Sequence, residues 1–292
     1  MKTLKQYIYE AEKNKQAIGH FNVANSDMIQ AVFSAARVVS REKEELIPVV
    51  IGVSEGERDA IGVRQSALYI QSLREQYQYP IFINADHTYS VERCKEAIDA
   101  GFDMVIYDGA HLSYEENLAN TKIVVDYAHA VSPHILVEAE LGFIGSGSNI
   151  KDELPEGVSE ATMTQPSEAQ TFVSETGLDL LAPSVGNVHG MIKSGNPRLN
   201  PERINAVRES GGIPLVLHGG SGSTDGDFIA AIDAGISMIH ISTELRKVLR
   251  FALDASLLDD PAQLAPYKYM KAPIEALQKV VEDRIRLFTR MS

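Results

Sequence analysis

Short runs of branched apolar residues alternate along this chain with longer segments in which apolar residues recur at helical spacing. The runs read as strands of a parallel sheet, buried on both faces, and the periodic segments as the helices that cover them. Lys2 to Lys15 is a leading helix, and Ile18 to Val23 a first strand ending in Phe21-Asn22. Asn25-Ser26-Asp27 offers capping side chains to a helix over Met28 to Val39. Leu46 to Val53 is the second strand, ending at Ser54 before a glycine- and charge-rich entry to a helix reaching about Gln76. Ile81 to Asn84 is the third, with Ala85-Asp86-His87-Thr88 at its C-terminal end. A helix from Ser90 to Asp99, closed by Gly101, leads to a fourth strand, Met104 to Tyr107, and then to Asp108. Ser113-Tyr-Glu-Glu116 is a capping box for a helix to about Val131, and a fifth strand from Ile135 ends in Glu138-Ala139-Glu140.

Gly142 to Thr164 follows as a long polar loop, a length that marks a functional or mobile segment. Ser167-Glu-Ala-Gln170 opens the next helix, and Leu180 to Val185 is a sixth strand leading to Gly186-Asn-Val-His-Gly190. A helix over Pro201 to Ser210 precedes the seventh strand, Leu215 to Leu217, which runs into His218-Gly219-Gly220-Ser221-Gly222. Thr224 to Asp233 is a helix, and Ser237 to Ile241 the eighth strand. Ser242-Thr243-Glu244 opens a helix to about Ala255, and a last helix over Pro273 to Phe288 lies in a C-terminal helical extension at about 256–292. Eight strands alternating with helices, without a repeat of fixed period, predict one (β/α)8 TIM barrel spanning residues 1–292. A doubly wound sheet is the alternative, but it does not require so many strand ends to converge.

Composition narrows the function. With 44% hydrophobic and 23% charged residues the chain can build a large core, and a net charge of -13 excludes a surface for nucleic acid. An anionic small molecule remains compatible where a metal and helix N-termini supply local positive charge. Cys94 is the only cysteine, so no intrachain disulfide and no cysteine-based zinc cluster can form. The N-terminal residues lack an apolar signal core, and no apolar run approaches a bilayer span. The expectation is a cytoplasmic protein with no membrane partner.

In a barrel the C-terminal strand ends share one face. That face would collect Asn22, Ser54, Asp86, His87, Asp108, Glu140, His189, His218 and His240. His87, His189 and His218 match the ligand number of a catalytic zinc site with one position open to substrate; polar strand caps without a ligand are the other reading. The turn Gly219 to Ser223, Gly190 and the helix start at Ser242-Thr243 can present backbone N–H groups to a phosphate, with Lys193 adding charge. His20, His111, His129 and His134 read as structural and Cys94 as packing.

Taken in order, these residues resemble the class II, metal-dependent fructose-bisphosphate and tagatose-bisphosphate aldolases. The resemblance runs from Phe21-Asn22 through Asp86-His87, Asp108-Gly-Ala-His-Leu112, Val137-Glu-Ala-Glu-Leu-Gly142 and Gly186-Asn-Val-His-Gly190 to Val216-Leu-His-Gly-Gly-Ser-Gly222 and Ile241-Ser-Thr-Glu244. It implies Zn2+ on His87, His189 and His218, with Co2+ or another divalent ion as substitute, and Asp86 as acid/base. Asp108 and Glu140 match an alternative metal position or the groups that hold its ligands. Gly190, Gly219, Gly220, Ser221, Ser242 and Thr243, with Lys193, match the ketose-phosphate pocket, where backbone carbonyls can also hold K+ or Na+. Asn22 and Ser54 match positions that touch substrate.

The implied reaction is reversible cleavage of a ketose 1,6-bisphosphate, fructose 1,6-bisphosphate first, to dihydroxyacetone phosphate and an aldehyde such as glyceraldehyde 3-phosphate. Tagatose bisphosphate or another ketose phosphate, or a catalytically silent sugar-phosphate-binding subunit, are the alternatives. A Schiff-base aldolase would need lysine at a strand end, and no predicted strand ends in one. The resemblance also implies a homo-oligomer, a dimer or larger. The chain departs from the family pattern at two places. His240 stands where the family has Asn, and the loop after Glu140 lacks the usual carboxylate pattern, leaving Asp152, Glu153 or Glu156 for C3 proton exchange, with Glu153 taken as the candidate.

Overall fold

The computed structural model describes residues 1–291. The apolar runs form β1 (Ile18–Asn22), β2 (Val49–Val53), β3 (Ile81–Thr88), β4 (Met104–Tyr107) and β5 (Leu136–Leu141). In the second half lie β6 (Ile150–Lys151), β7 (Leu180–Pro183), β8 (Met191–Ile192), β9 (Leu215–Leu217) and β10 (Ile236–Ile241). Eight of them pair in parallel as a closed barrel in the order β1-β10-β9-β7-β5-β4-β3-β2, a TIM barrel, while β6 and β8 form a separate ribbon. The helices are α1 (Leu4–Lys13), α2 (Ser26–Lys43), α3 (Glu55–Ile61), α4 (Val63–Tyr77), α5 (Val91–Asp99) and α6 (Tyr114–Val131). They continue with α7 (Pro166–Thr176), α8 (Pro201–Gly211), α9 (Asp225–Ala234), α10 (Thr243–Asp259), α11 (Pro266–Tyr269) and α12 (Lys271–Phe288).

Pleating sorts each strand into two cores. Val49, Ile51, Ile83, Val105, Val137, Leu217 and Ile239 face outward to the helices in one large core. Ile18, Val50, Phe82, Met104, Leu136, Leu180, Val216 and Met238, one from each barrel strand, fill the barrel interior, and Leu4, Ile8 and Ala11 of α1 close it from below. Two residues farther along, the same alternation brings up His20, Asn84, Glu138, His218 and His240, so the next interior layer is polar. That layer is the floor on which the site is built.

Local chemistry moves several element ends. The glycine- and charge-rich entry after Ser54 is itself helical, forming α3, and Gly62, with a φ of 98°, separates it from α4. The start of α7 is Pro166 rather than Ser167, because proline at the first helical position gives up no needed N–H and is preset in φ. Within Gly142 to Thr164, β6 pairs with β8, and Lys151 Nζ donates to the carbonyls of Ser146 and His189, both at 2.8 Å. At the C-terminus α12 buries Leu277, Val281, Ile285 and Phe288 beside α2 and α10.

Candidate active site

Strict alternation along β3 would send Asp86 inward and His87 outward. The pairing with β4 instead shifts register between Ala85 and Thr88, and His87 adopts a φ of 38°, a left-handed conformation costly for a side chain with a Cβ. Two adjacent residues thereby both face the strand-end pocket. Arg58, fully buried, secures the distortion: its guanidinium donates to the carbonyls of Val53 at 2.8 Å and Asp86 at 3.1 Å, and to Thr88 Oγ1 at 3.0 Å. Arg58→Met is expected to leave these buried acceptors unpaired and destabilise the fold by about 3 kcal/mol, read as a lowered Tm. A Tm within a degree or so of the parent would show that the bulge holds itself.

At the polar layer and just above it, three imidazoles converge with a carboxylate. His87 donates from Nδ1 to Asp108 Oδ2 at 2.8 Å, and His218 from Nε2 to Glu138 Oε1 at 2.6 Å. These carboxylates leave His87 Nε2 and His218 Nδ1 facing each other 3.3 Å apart. Two nitrogens at about 2.0–2.1 Å from one tetrahedral zinc stand about 3.3 Å apart, so the pair has the spacing of co-ligands. Glu140 Oε1 lies 3.0 Å from His218 Nδ1, 3.5 Å from His189 Nε2 and 3.6 Å from His87 Nδ1. It is buried with no hydrogen-bond donor, and the four residues bring one donor atom each within 4.8 Å of the others. The donor set fits a divalent ion.

Asp86 sits beside this cluster. Asn22 Nδ2 donates to its Oδ2 at 2.7 Å, and His240 Nδ1 lies 3.4 Å from its Oδ1. Burial alone would push the Asp86 carboxyl up, but His87 and His240 outweigh it and hold the group well below the usual range. It is therefore a carboxylate, able to take a proton. Burial keeps His189 and His240 low, hence neutral.

Two adjoining recesses share Asn22, Asp86, His87, Ser148 and His189. The narrow one is lined by Gly190, His218, Gly219, Gly220, Ser221, His240, Ser242 and Thr243. Gly219 has a φ of 61°, and a Cβ there would fall 2.3 Å from the Val188 carbonyl, so only glycine brings the backbone this close. Ser221 Oγ accepts from Glu244 N at 3.1 Å, which ties this turn to the start of α10, and Ser242 Oγ is buried without a partner. The wider recess, about 470 Å³, is lined by Ser54, Tyr89, His111, Phe143, the turn 145–148 and Arg246, besides Asp108 and Glu140.

The structure thus brings together Asn22, Ser54, Asp86, His87, Asp108, Glu140, His189, His218, His240 and the glycine and serine turns. It does not bring in Lys193 or Glu153. Lys193 is exposed, its Nζ paired with Asp152 at 2.6 Å, because the β6–β8 ribbon carries both side chains away from the recesses. Glu153 is exposed on the same loop and lines neither recess. Residues that sequence reasoning passed over include Arg58, Arg246 and His20. Glu57 is another: it accepts from Asn22 Nδ2 at 3.2 Å and from Arg246 Nη2 at 2.6 Å. Glu138 and Glu57 left a usable signal, a second carboxylate two positions before Glu140 and a capping-box glutamate after Ser54.

The electrostatics set a pH dependence. Burial opposes charge on His87, but Asp86, Asp108 and Glu140 raise its pKa to about 9; Glu138 and Glu140 likewise raise His218 well above the ordinary imidazole value. A metal must displace protons from this pair, so metal affinity is expected to rise with pH up to about 9, with proton release measurable by calorimetry in buffers of different ionisation enthalpy. Stability of the metal-free protein has the opposite sign. A raised folded pKa contributes fully below the unfolded value of about 6.5 and is lost as pH climbs. For His87 that loss is complete above about 9. Affinity flat across this window, without proton release, would remove the two rings from the metal.

Nearly the whole chain matches known proteins. Residues 2–291 match the family model "Fructose-bisphosphate aldolase class-II". Over 289 residues the chain is 37% identical to the fructose-bisphosphate aldolase of Staphylococcus aureus and 38% identical to that of Geobacillus stearothermophilus, covering 98% of this chain and 96% of each relative. Among solved structures it is similar to the YdjI aldolase from Escherichia coli, with a TM-score of 0.81 and 30% identity over 98% of this chain and 96% of that one. Fructose-bisphosphate aldolase from Campylobacter jejuni gives a TM-score of 0.81 at 22% identity, covering 98% of this chain and 93% of that one, a likeness of fold alone.

Proposed function

The chain belongs to the class II fructose-bisphosphate aldolases, aldehyde-lyases that work with a divalent metal, and from that premise we propose that it cleaves a ketose 1,6-bisphosphate reversibly to dihydroxyacetone phosphate and an aldehyde. Fructose 1,6-bisphosphate is the first substrate proposed, with glyceraldehyde 3-phosphate as the aldehyde. One observation supports this above the others: Asp86 lines both recesses beside His87 and His189 of the imidazole cluster.

In the proposed reaction the narrow recess takes the ketose phosphate. Backbone N–H groups around Gly190, Gly219, Gly220 and Ser221, with those of Ser242 and Thr243 at the start of α10, supply the donors. Asp86 removes the proton from the C4 hydroxyl, the C3–C4 bond breaks with its electron pair left on C3, the aldehyde forms on the side of the wider recess, and C3 then takes a proton from water to give dihydroxyacetone phosphate. Zn2+, or Co2+ in its place, held by His87, His189 and His218, would supply the Lewis acid that stabilises the negative charge developing on the ketose fragment. Asp108 and Glu138 orient His87 and His218, and Glu140 balances the charge of the cluster. Asn22 holds Asp86 through Oδ2 and lines both recesses, and Ser54 borders the aldehyde side.

A homo-oligomer belongs to the same proposal. Phe251, Leu258, Leu264 and Tyr267, on and just after α10, are large exposed apolar side chains of the kind such an assembly covers. The catalytic reading is tested by assaying metal-loaded protein with fructose 1,6-bisphosphate, tagatose 1,6-bisphosphate and ketose 1-phosphates, detecting dihydroxyacetone phosphate by a coupled reduction. Its release from at least one bisphosphate is expected. No release from any would leave a sugar-phosphate-binding barrel without catalysis.

A further inference from the structure

His240 has no hydrogen-bond partner on either ring nitrogen, yet its orientation matters to the proposed chemistry. Its Nδ1 lies 3.4 Å from Asp86 Oδ1 and its Nε2 3.8 Å from Glu138 Oε2. Packing on its faces therefore sets its direction. On one face lies His218, with ring centroids 4.1 Å apart and planes 34° apart. On the other lies His20, with centroids 3.4 Å apart and planes 3° apart.

This second contact is built in by the barrel. His20 on β1 and His240 on β10 are register partners on adjacent parallel strands, both directed inward. His20 is wholly buried, its Nε2 lies 3.1 Å from the Asn84 amide, and its ring occupies the space over Gly52, where a Cβ would fall 2.0 Å from it. The two parallel rings cannot clamp one ion, since lone pairs lying in stacked planes run side by side instead of converging. The pair is a stack and not a metal site.

We propose that His20 is a positioning residue that acts through His240, keeping the imidazole edge against Asp86 Oδ1 while Asn22 holds Oδ2. This rests on the reading that Asp86 moves the C4 hydroxyl proton. Without the His20 ring, His240 tilts into the vacated space and Asp86 keeps only its Asn22 anchor. His240 also lines the narrow recess, but the backbone donors of Gly219 to Ser221 do not depend on its ring, so the loss falls mainly on turnover.

Three variants separate a stacking role from bulk stability: His20→Ala removes the ring, His20→Gln keeps an amide partner for Asn84 without a ring face, and His20→Phe keeps the face without the nitrogens. In metal-loaded protein, His20→Ala and His20→Gln are expected to lower kcat about 10- to 100-fold with KM within about two-fold and metal content unchanged, and His20→Phe to recover most of the loss. Unchanged kcat in folded, metal-loaded His20→Ala overturns the proposal, as does recovery by Gln equal to that by Phe. Where His20→Ala folds poorly, the Gln and Phe pair decides alone.

A second readout needs no turnover. The His240 ring resonances, assigned by their absence in His240→Asn, are expected to shift in His20→Ala and stay near the parent position in His20→Phe. A wild-type chain that cleaves no ketose phosphate refutes the catalytic reading, and this spectrum then decides the stack by itself: an unmoved His240 signal refutes it.

Discussion

Asp86→Asn is expected to keep the fold and the metal while losing about 10²- to 10⁴-fold in kcat, the range that one positioned acid/base group supplies. The amide is nearly isosteric, and its oxygen can still accept from Asn22 Nδ2, which lies 2.7 Å from Asp86 Oδ2. The proposed metal ligands stand outside the substitution, because His87 and His218 take their orientation from Asp108 and Glu138. What disappears is a carboxylate that His87 and His240 hold ionised against burial. Steady-state kinetics with metal analysis checks this. A normal metal content with depressed kcat and little change in KM supports the role, and parent-like turnover removes Asp86 from it.

Removal of the metal is expected to abolish cleavage and to lower stability together. The cluster brings one donor atom from each of three imidazoles and a carboxylate, all buried or nearly so, within 4.8 Å of one another. An ion present at about 1,000 times its Kd stabilises a folded state that alone binds it by about 4 kcal/mol. Chelation should therefore lower Tm by several degrees as activity vanishes, and Zn2+ or Co2+ should restore both. Mg2+ should not, because it favours an octahedron of oxygen ligands and the site offers imidazole nitrogen. Persistent cleavage in protein verified to be metal-free would overturn the mechanism, whatever happened to Tm.

Both results concern residues that the sequence alone makes legible. Asp86 and His87 follow an apolar run, His189 follows Leu180 to Val185 by a few residues, and His218 follows Leu215 to Leu217 directly. Strand ends share a face in a parallel barrel, so apolar runs and their terminators suffice to gather the cluster. Lys193 and Glu153 show the limit of that inference. Both belong to loop segments whose path depends on the pairing of Ile150–Lys151 with Met191–Ile192, a ribbon too short to leave an apolar pattern.

Arg58 and His20 lie beyond it for a different reason. Arg58 reads as one charge on an amphipathic helix, yet it is buried against Val53, Asp86 and Thr88 and holds the bulge that turns His87 inward. His20 reads as a polar interruption of a strand, and its partner stands on β10, at the far end of the chain, brought beside it by the closure of the barrel. By itself the sequence determined the βα alternation, the closed barrel it implies and the rim that carries the three histidines, because periodicity and strand-end chemistry are local. Only the tertiary structure decided the inward turn of His87, the Glu138–His218 pairing and the His20–His240 stack. Each of those depends on the register between strands distant in sequence, or on a side chain reaching across it, and no local pattern encodes that register.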